Sequence, residues 1–169
     1  MLSRRIRTAL AGVALATGLA GCFQPLHGPQ FGAIQPMLGS VDVVQMEGHF
    51  GHQLKSELDF LFNNGEPPAA PKYRLSIAPA GTSGSVIVNV DSGRPQMMNY
   101  ATVANYSLVS IADSKVVSFG TARSNASYDR DSQRFATIRA QRDAEIRAAK
   151  ALAEEIKIRV IADLSKTRG

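Results

Sequence analysis

Cysteine occurs once in the 169 residues, at Cys22. A lone thiol excludes a disulfide framework and any metal site built on several cysteines. Histidine is nearly as scarce, with His27, His49 and His52 making up the three. His27 stands apart. His49 and His52 are spaced to share one helix face, but no second cluster of ligands accompanies them, so they read as surface residues at a helix entry. No Gly-x-Ser-x-Gly occurs, so the turn that presents a hydrolase serine is missing. Gly81-Thr82-Ser83-Gly84-Ser85 is small and polar, but it lacks the Lys-Ser/Thr ending and the following helix of a phosphate loop. Asp129 and Asp131 flank Arg130 just ahead of a predicted helix, where carboxylates meet the helix dipole favourably and serve structure. No catalytic, cofactor or metal site is therefore expected, and the chain reads as a non-enzyme. Apolar runs are short as well. None reaches the roughly 20 residues that cross a bilayer as a helix.

What the chain does have begins at its start. Arg4, Arg5 and Arg7 precede a short apolar run from Thr8 to Leu19, and Leu19-Ala20-Gly21-Cys22 follows. A basic segment, a short apolar segment and small residues at a cut site describe a secretory signal. Leu-Ala-Gly-Cys resembles the lipobox of bacterial lipoproteins, in which the cysteine thiol is acylated and becomes the new first residue. That places cleavage between Gly21 and Cys22, with Cys22 as the lipid-attachment residue. Two or more acyl chains anchor stably, whereas one binds only marginally. Phe23 follows the cysteine. In many Gram-negative bacteria an aspartate there favours inner-membrane retention, so its absence predicts the periplasmic side of the outer membrane.

Cleavage after residue 21 would leave 148 of the 169 residues, enough for one domain with a disulfide-free core. The whole chain carries 19 basic and 14 acidic residues, a net of +5. Three of the basic residues leave with the signal, so 16 face 14 and the net falls to +2. That modest charge argues against nucleic acid as a partner.

Residues 1–21 thus form the signal, 22–39 the acylated cysteine with a tether rich in proline and glycine, and 40–169 a single α+β domain. Pro25, Pro29 and Pro36 with Gly28, Gly32 and Gly39 argue against a regular element in the tether. A first strand is predicted at Ser40–Glu47, from its β-branched residues. Phe50, Leu54, Leu58, Leu61 and Phe62 recur at helical steps, predicting a helix over 50–63 that Asn63-Asn64-Gly65 stops. Tyr73, Leu75 and Ile77 alternate as a second strand. Ala78–Gly84 interrupts it, and Val86, Val88 and Val90 resume it before a turn at Asp91-Ser92-Gly93. A third strand spans 100–111 with Tyr100, Thr102, Ala104, Tyr106 and Leu108 on one face. After a tight turn at Asp113-Ser114, a fourth runs over 115–127 and includes Val117 and Phe119. Short turns between these strands predict an antiparallel meander. The chain closes on a long helix over 132–166, with Phe135, Ile138, Ala149, Leu152, Ile156, Val160 and Leu164 at helical spacing and Asp131 or Ser132 as its cap. The sum is an α+β fold of order β-α-β-β-β-α. Its four-stranded, mostly antiparallel sheet carries both helices on one face.

Lys72, Arg74, Arg94, Lys115 and Arg123 fall on strands or turns of this sheet. Cationic groups on aliphatic stems can grip phosphates while resting on acyl chains, and they can equally solvate an outer sheet face. The lipobox, the following Phe23-Gln24-Pro25-Leu26-His27-Gly28 and the element order together resemble the LptE family of lipopolysaccharide-assembly lipoproteins, partners of the outer-membrane barrel LptD. The family's usual glycine after the cysteine is absent here, and His27 stands in the place before Gly28. The resemblance implies a non-catalytic domain that plugs the barrel lumen, assists barrel assembly and delivers lipopolysaccharide to the cell surface. The five basic residues would then meet lipopolysaccharide phosphates or the barrel wall. An alternative with the same anchor is an auxiliary lipoprotein of an ABC-type lipid transport system.

Overall fold

A computed structural model describes residues 36–88 and 95–166. The signal segment, Cys22, the tether up to residue 35, Arg94 and the turn at 91–93 lie outside the described residues. The described residues belong to one compact unit, 34–169.

The elements are β1 (Val41–Val43), α1 (Gly48–Asn63), β2 (Tyr73–Val88), β3 (Pro95–Ser110), β4 (Val116–Asp129) and α2 (Arg134–Lys166). The sheet order is β1-β2-β3-β4, with β1 parallel to β2 and the other two pairs antiparallel. The α+β class, the meander and the helices packed against the sheet match the sequence expectation. The sheet is mixed because β1 reaches β2 through α1, and a crossover connection joins parallel strands.

Several boundaries differ, each for a local reason. Residues 36–38, expected to be irregular, form a helical turn. Pro36 suits a first helical position. Leu38 is buried, and Ser40 Oγ donates to Met37 O at 2.7 Å. The first strand is three residues long rather than eight. After Val44 N donates to Leu75 O, the chain leaves the sheet to start α1 at Gly48, two residues earlier than expected.

β2 runs unbroken through Ala78–Gly84, where an interruption was expected. β1 pairs only with Tyr73–Leu75, so the rest of β2 is an edge with one partner, a place that tolerates proline. The irregularity lies further on, between Ser85 and Val88. Gly81 also has a positive reason to be there, because a Cβ on it would lie 2.7 Å from Tyr100 Cζ. The Tyr100 ring lies across the space where that side chain would stand. β3 starts at Pro95 and so runs longer than the 100–111 expected.

The core lies between the sheet and the two helices. Tyr100, Thr102, Ala104, Tyr106 and Leu108 are all buried on the helix side, as their alternation predicts. Leu54, Leu58 and Phe62 of α1 meet Leu152, Ile156, Val160 and Leu164 of α2 in one cluster with Val41, Val43 and Leu75. Asn64, at φ 54°, ends α1 in the left-handed conformation, within the expected Asn63-Asn64-Gly65 stop. A second cluster holds Tyr100, Ala126, Tyr128, Ala144 and Ala148, and Phe50 packs against both.

The expected apolar stripe of α2 fails at its start. Phe135 is 82% exposed and Ile138 is exposed too. By helix rise, the 16 residues of α1 span about 24 Å and the 33 of α2 about 50 Å. His49, in the first turn of α1, meets Glu145 at 3.6 Å, so the earlier turns of α2 project beyond the start of α1. The helix itself begins at Arg134, two residues later than expected, because Asp131 organises the turn before it. Asp131 Oδ1 accepts from Gln133 N at 2.8 Å and from Ser132 Oγ at 3.1 Å. Those donors hold its carboxyl below the usual range, in keeping with a structural role.

Candidate functional site

Both helices cover the same face of the sheet, so alternate residues of β2, β3 and β4 point away from them. In register on that open face, Ala80 stands opposite Val103 and Val103 opposite Arg123. Asn105 pairs with Thr121, whose Oγ1 donates to Asn105 Oδ1 at 2.7 Å. Ser107 faces Phe119, which is 77% exposed. Phe119, Thr121 and Arg123 therefore line the outer side of β4. Arg74, opposite Val109, lies on the same face of β2. The surface mixes small and polar residues and two arginines with the apolar Ile87, Val103, Val109, Val116 and Phe119.

The structure separates the basic residues singled out from the sequence. Arg74 and Arg123 share the open face but stand six positions apart along the strands, roughly 20 Å at about 3.3 Å per residue. Lys72 and Lys115 lie at the end of the sheet where β2 begins. Lys72 O accepts from Ile111 N, and Lys115 O accepts from Ser110 N. Lys115 Nζ is 3.4 Å from Asp113, whose carboxyl is held low first by the Ser110 hydroxyl and then by Lys115. No one cradle gathers these four residues.

Among the described residues no three His, Cys, Asp or Glu side chains gather as a metal site would require. His49 Nδ1 lies 3.6 Å from Glu145, and His52 is exposed. Ser118 Oγ donates to Asp163 Oδ2 at 2.6 Å, and Lys166 Nζ is 3.0 Å from Asp163 Oδ1. The Ser118 hydroxyl, then Lys166, keep the Asp163 carboxyl below its ordinary range. This pair joins the end of α2 to β4. An open groove of about 340 Å³ lies between β4 and α2, and Arg147 spans it. The Arg147 guanidinium is already engaged, donating to Asp143 at 2.8 Å and to Ser127 O at 2.9 Å.

Phe119 belongs to the fourth strand, as expected, and lies on its open face. Its neighbours carried the signal. Ser118, Ala122, Ala126 and Tyr128 have the opposite parity and are the buried set of β4. Two of them are alanines, so the inward face reads weakly as apolar.

No protein-family model matches this chain, and neither does any curated protein sequence. Solved structures do resemble it. A proposed lipoprotein from Caulobacter crescentus superposes with a TM-score of 0.67 at 21% identity, over 79% of this chain and 97% of that one. Rare lipoprotein B from Shewanella oneidensis gives 0.48 at 12%, over 76% and 94%. A lipoprotein B from Nitrosomonas europaea gives 0.49 at 13%, over 75% and 86%. The first likeness shows that the fold is shared. Among the described residues no helix is long and apolar enough to cross a membrane.

Proposed function

We propose that this chain is a lipoprotein anchored through Cys22 to the periplasmic side of the outer membrane, where it plugs and helps assemble the barrel that moves lipopolysaccharide to the cell surface. The observation that carries the reading is the open sheet face. It alternates small and polar residues with exposed apolar groups such as Val116 and Phe119, carries the separated cations Arg74 and Arg123, and is left bare by both helices. The lumen of an outer-membrane barrel is polar, so such a face can lie against its wall without burying unpaired groups. The lipobox and the fold shared with the Caulobacter lipoprotein support the anchor. The role is one of binding rather than catalysis, with the barrel and lipopolysaccharide as partners.

Photocrosslinking from position 119 or 123 in cells tests it. Capture of a large outer-membrane barrel is the expected result, and Arg74→Glu with Arg123→Glu should weaken the association. Recovery of the tagged chain free of any barrel after mild detergent extraction would sink the reading. Capture of an ABC transporter subunit would replace it with the auxiliary-lipoprotein alternative.

A further inference from the structure

The first three turns of α2 show a face that no other described element covers. Phe135, Ile138, Arg142 and Ile146 follow one another at three- and four-residue steps and so lie in one row. The row continues through Ala149, Ala153, Ile156 and Val160, which are fully buried in the core. The same side of the helix is thus packed where α1 lies alongside and exposed where α1 has not begun. Arg134 and Arg139 flank the exposed part. Among the described residues, Arg130, Arg134, Arg139 and Arg142 make no ion pair. Of the acids nearby, Asp131 is held by the turn before the helix, Asp143 by Arg147 and Glu145 by Gln141 and His49, which leaves Asp129 at the end of β4 as the acid beside these arginines.

We infer that this projecting end of α2, from Arg134 to Ile146, docks on an anionic lipid surface. A helix end that mixes Phe and Ile with unpaired arginines suits the headgroup boundary, where rings and aliphatic chains enter and guanidinium groups hold phosphates. A folded protein partner fits less well. The row is about 17 Å long and on the order of 10 Å wide, or roughly 170 Å², against about 800 Å² per partner in a stable interface. A lipid surface requires no such area, because each arginine near anionic lipid strengthens binding about fivefold. The inference concerns the bilayer surface and stands apart from the barrel reading, so each can fail alone.

The chain contains no tryptophan, so Phe135→Trp creates a single reporter at the tip. The full chain carrying Cys22→Ser removes the contribution of acyl chains. Vesicles containing phosphatidylglycerol should shift the emission of this variant to the blue, and brominated lipid should quench it. Neutral phosphatidylcholine vesicles should do neither. Adding Arg139→Glu and Arg142→Glu, with every other membrane-seeking segment unchanged, should weaken partitioning by at least ~25-fold. A tryptophan placed instead at Phe60, exposed on α1, should stay unquenched. Unchanged emission at position 135, equal quenching at 60 and 135, or partitioning indifferent to the two reversed arginines would each overturn the inference. So would a blue shift seen only when an outer-membrane barrel is added, which would assign the row to protein contact.

Discussion

At Gly81 the sheet leaves out a side chain and Tyr100 lies over the gap, and Gly120 does the same for Tyr106, whose Oη would be 3.1 Å from an added Cβ. Gly81→Ala should therefore destabilise by about 1–3 kcal/mol, because a ring packed against α2 must move. Urea unfolding would show a lower midpoint with unchanged slope. Gly120→Ala should cost less, since the approach is looser. Asp163 makes a pH prediction. Its folded pKa is depressed, so its contribution is present above the unfolded value of about 3.9 and fades as pH falls through the folded value. Stability should decline on acidification in that window, and Asp163→Asn should flatten the decline. An equally steep curve for the variant would show that the Ser118 contact does not set it. The left-handed Asn64 was legible in the sequence from its type alone, whereas the Ser118–Asp163 pair, 45 residues apart, was not.

Among the elements, α2 approaches the sheet closely because it presents alanine there. Ala144, Ala148 and Ala149 are fully buried, and Ser124 Oγ reaches Ala148 O at 2.7 Å. That bond uses the only proton of Ser124, so Thr102 Oγ1, 2.7 Å away, must donate to Ser124. Ala148→Leu should lift the helix, break this chain and cost about 1–3 kcal/mol, measurable as a lower melting temperature. Ser124→Ala alone should cost about 1 kcal/mol, and a larger loss would mean that the helix had shifted. Strand limits were the least legible feature. The run 78–84 contains a proline and two glycines and reads as a break, yet edge position and the Tyr100 ring keep it in the ladder.

For the whole molecule, two hydrophobic clusters share one long helix and are bridged by Phe50. They should unfold together. Tyrosine fluorescence and far-ultraviolet circular dichroism should give coincident transitions, and Phe50→Ala should lower both by about 2–4 kcal/mol. Separate midpoints would show two independent units. On the membrane reading, Cys22→Ala should free the domain from membranes or leave the signal uncut, while barrel association survives in part through the sheet. Fractionation of cells and western blotting of the two forms would decide. Complete loss of barrel binding in an exported, unlipidated chain would show that the anchor does more than tether.

The sequence by itself determined the element order, the α+β class and the inward face of β3, because alternation and helical periodicity are local and a one-residue slip would expose the core. It also marked Cys22, which needs only neighbours in the chain to be noticed. Tertiary structure alone decided which apolar residues stay in water. Phe135 and Ile138 keep perfect helical spacing, but α1 is too short to cover them. Phe119 sits in a true strand, but the parity of Ser118 and Ala122 turns it outward. Burial depends on what lies opposite, and neither the length of a neighbouring helix nor the side of a sheet left bare is written in a residue's own surroundings.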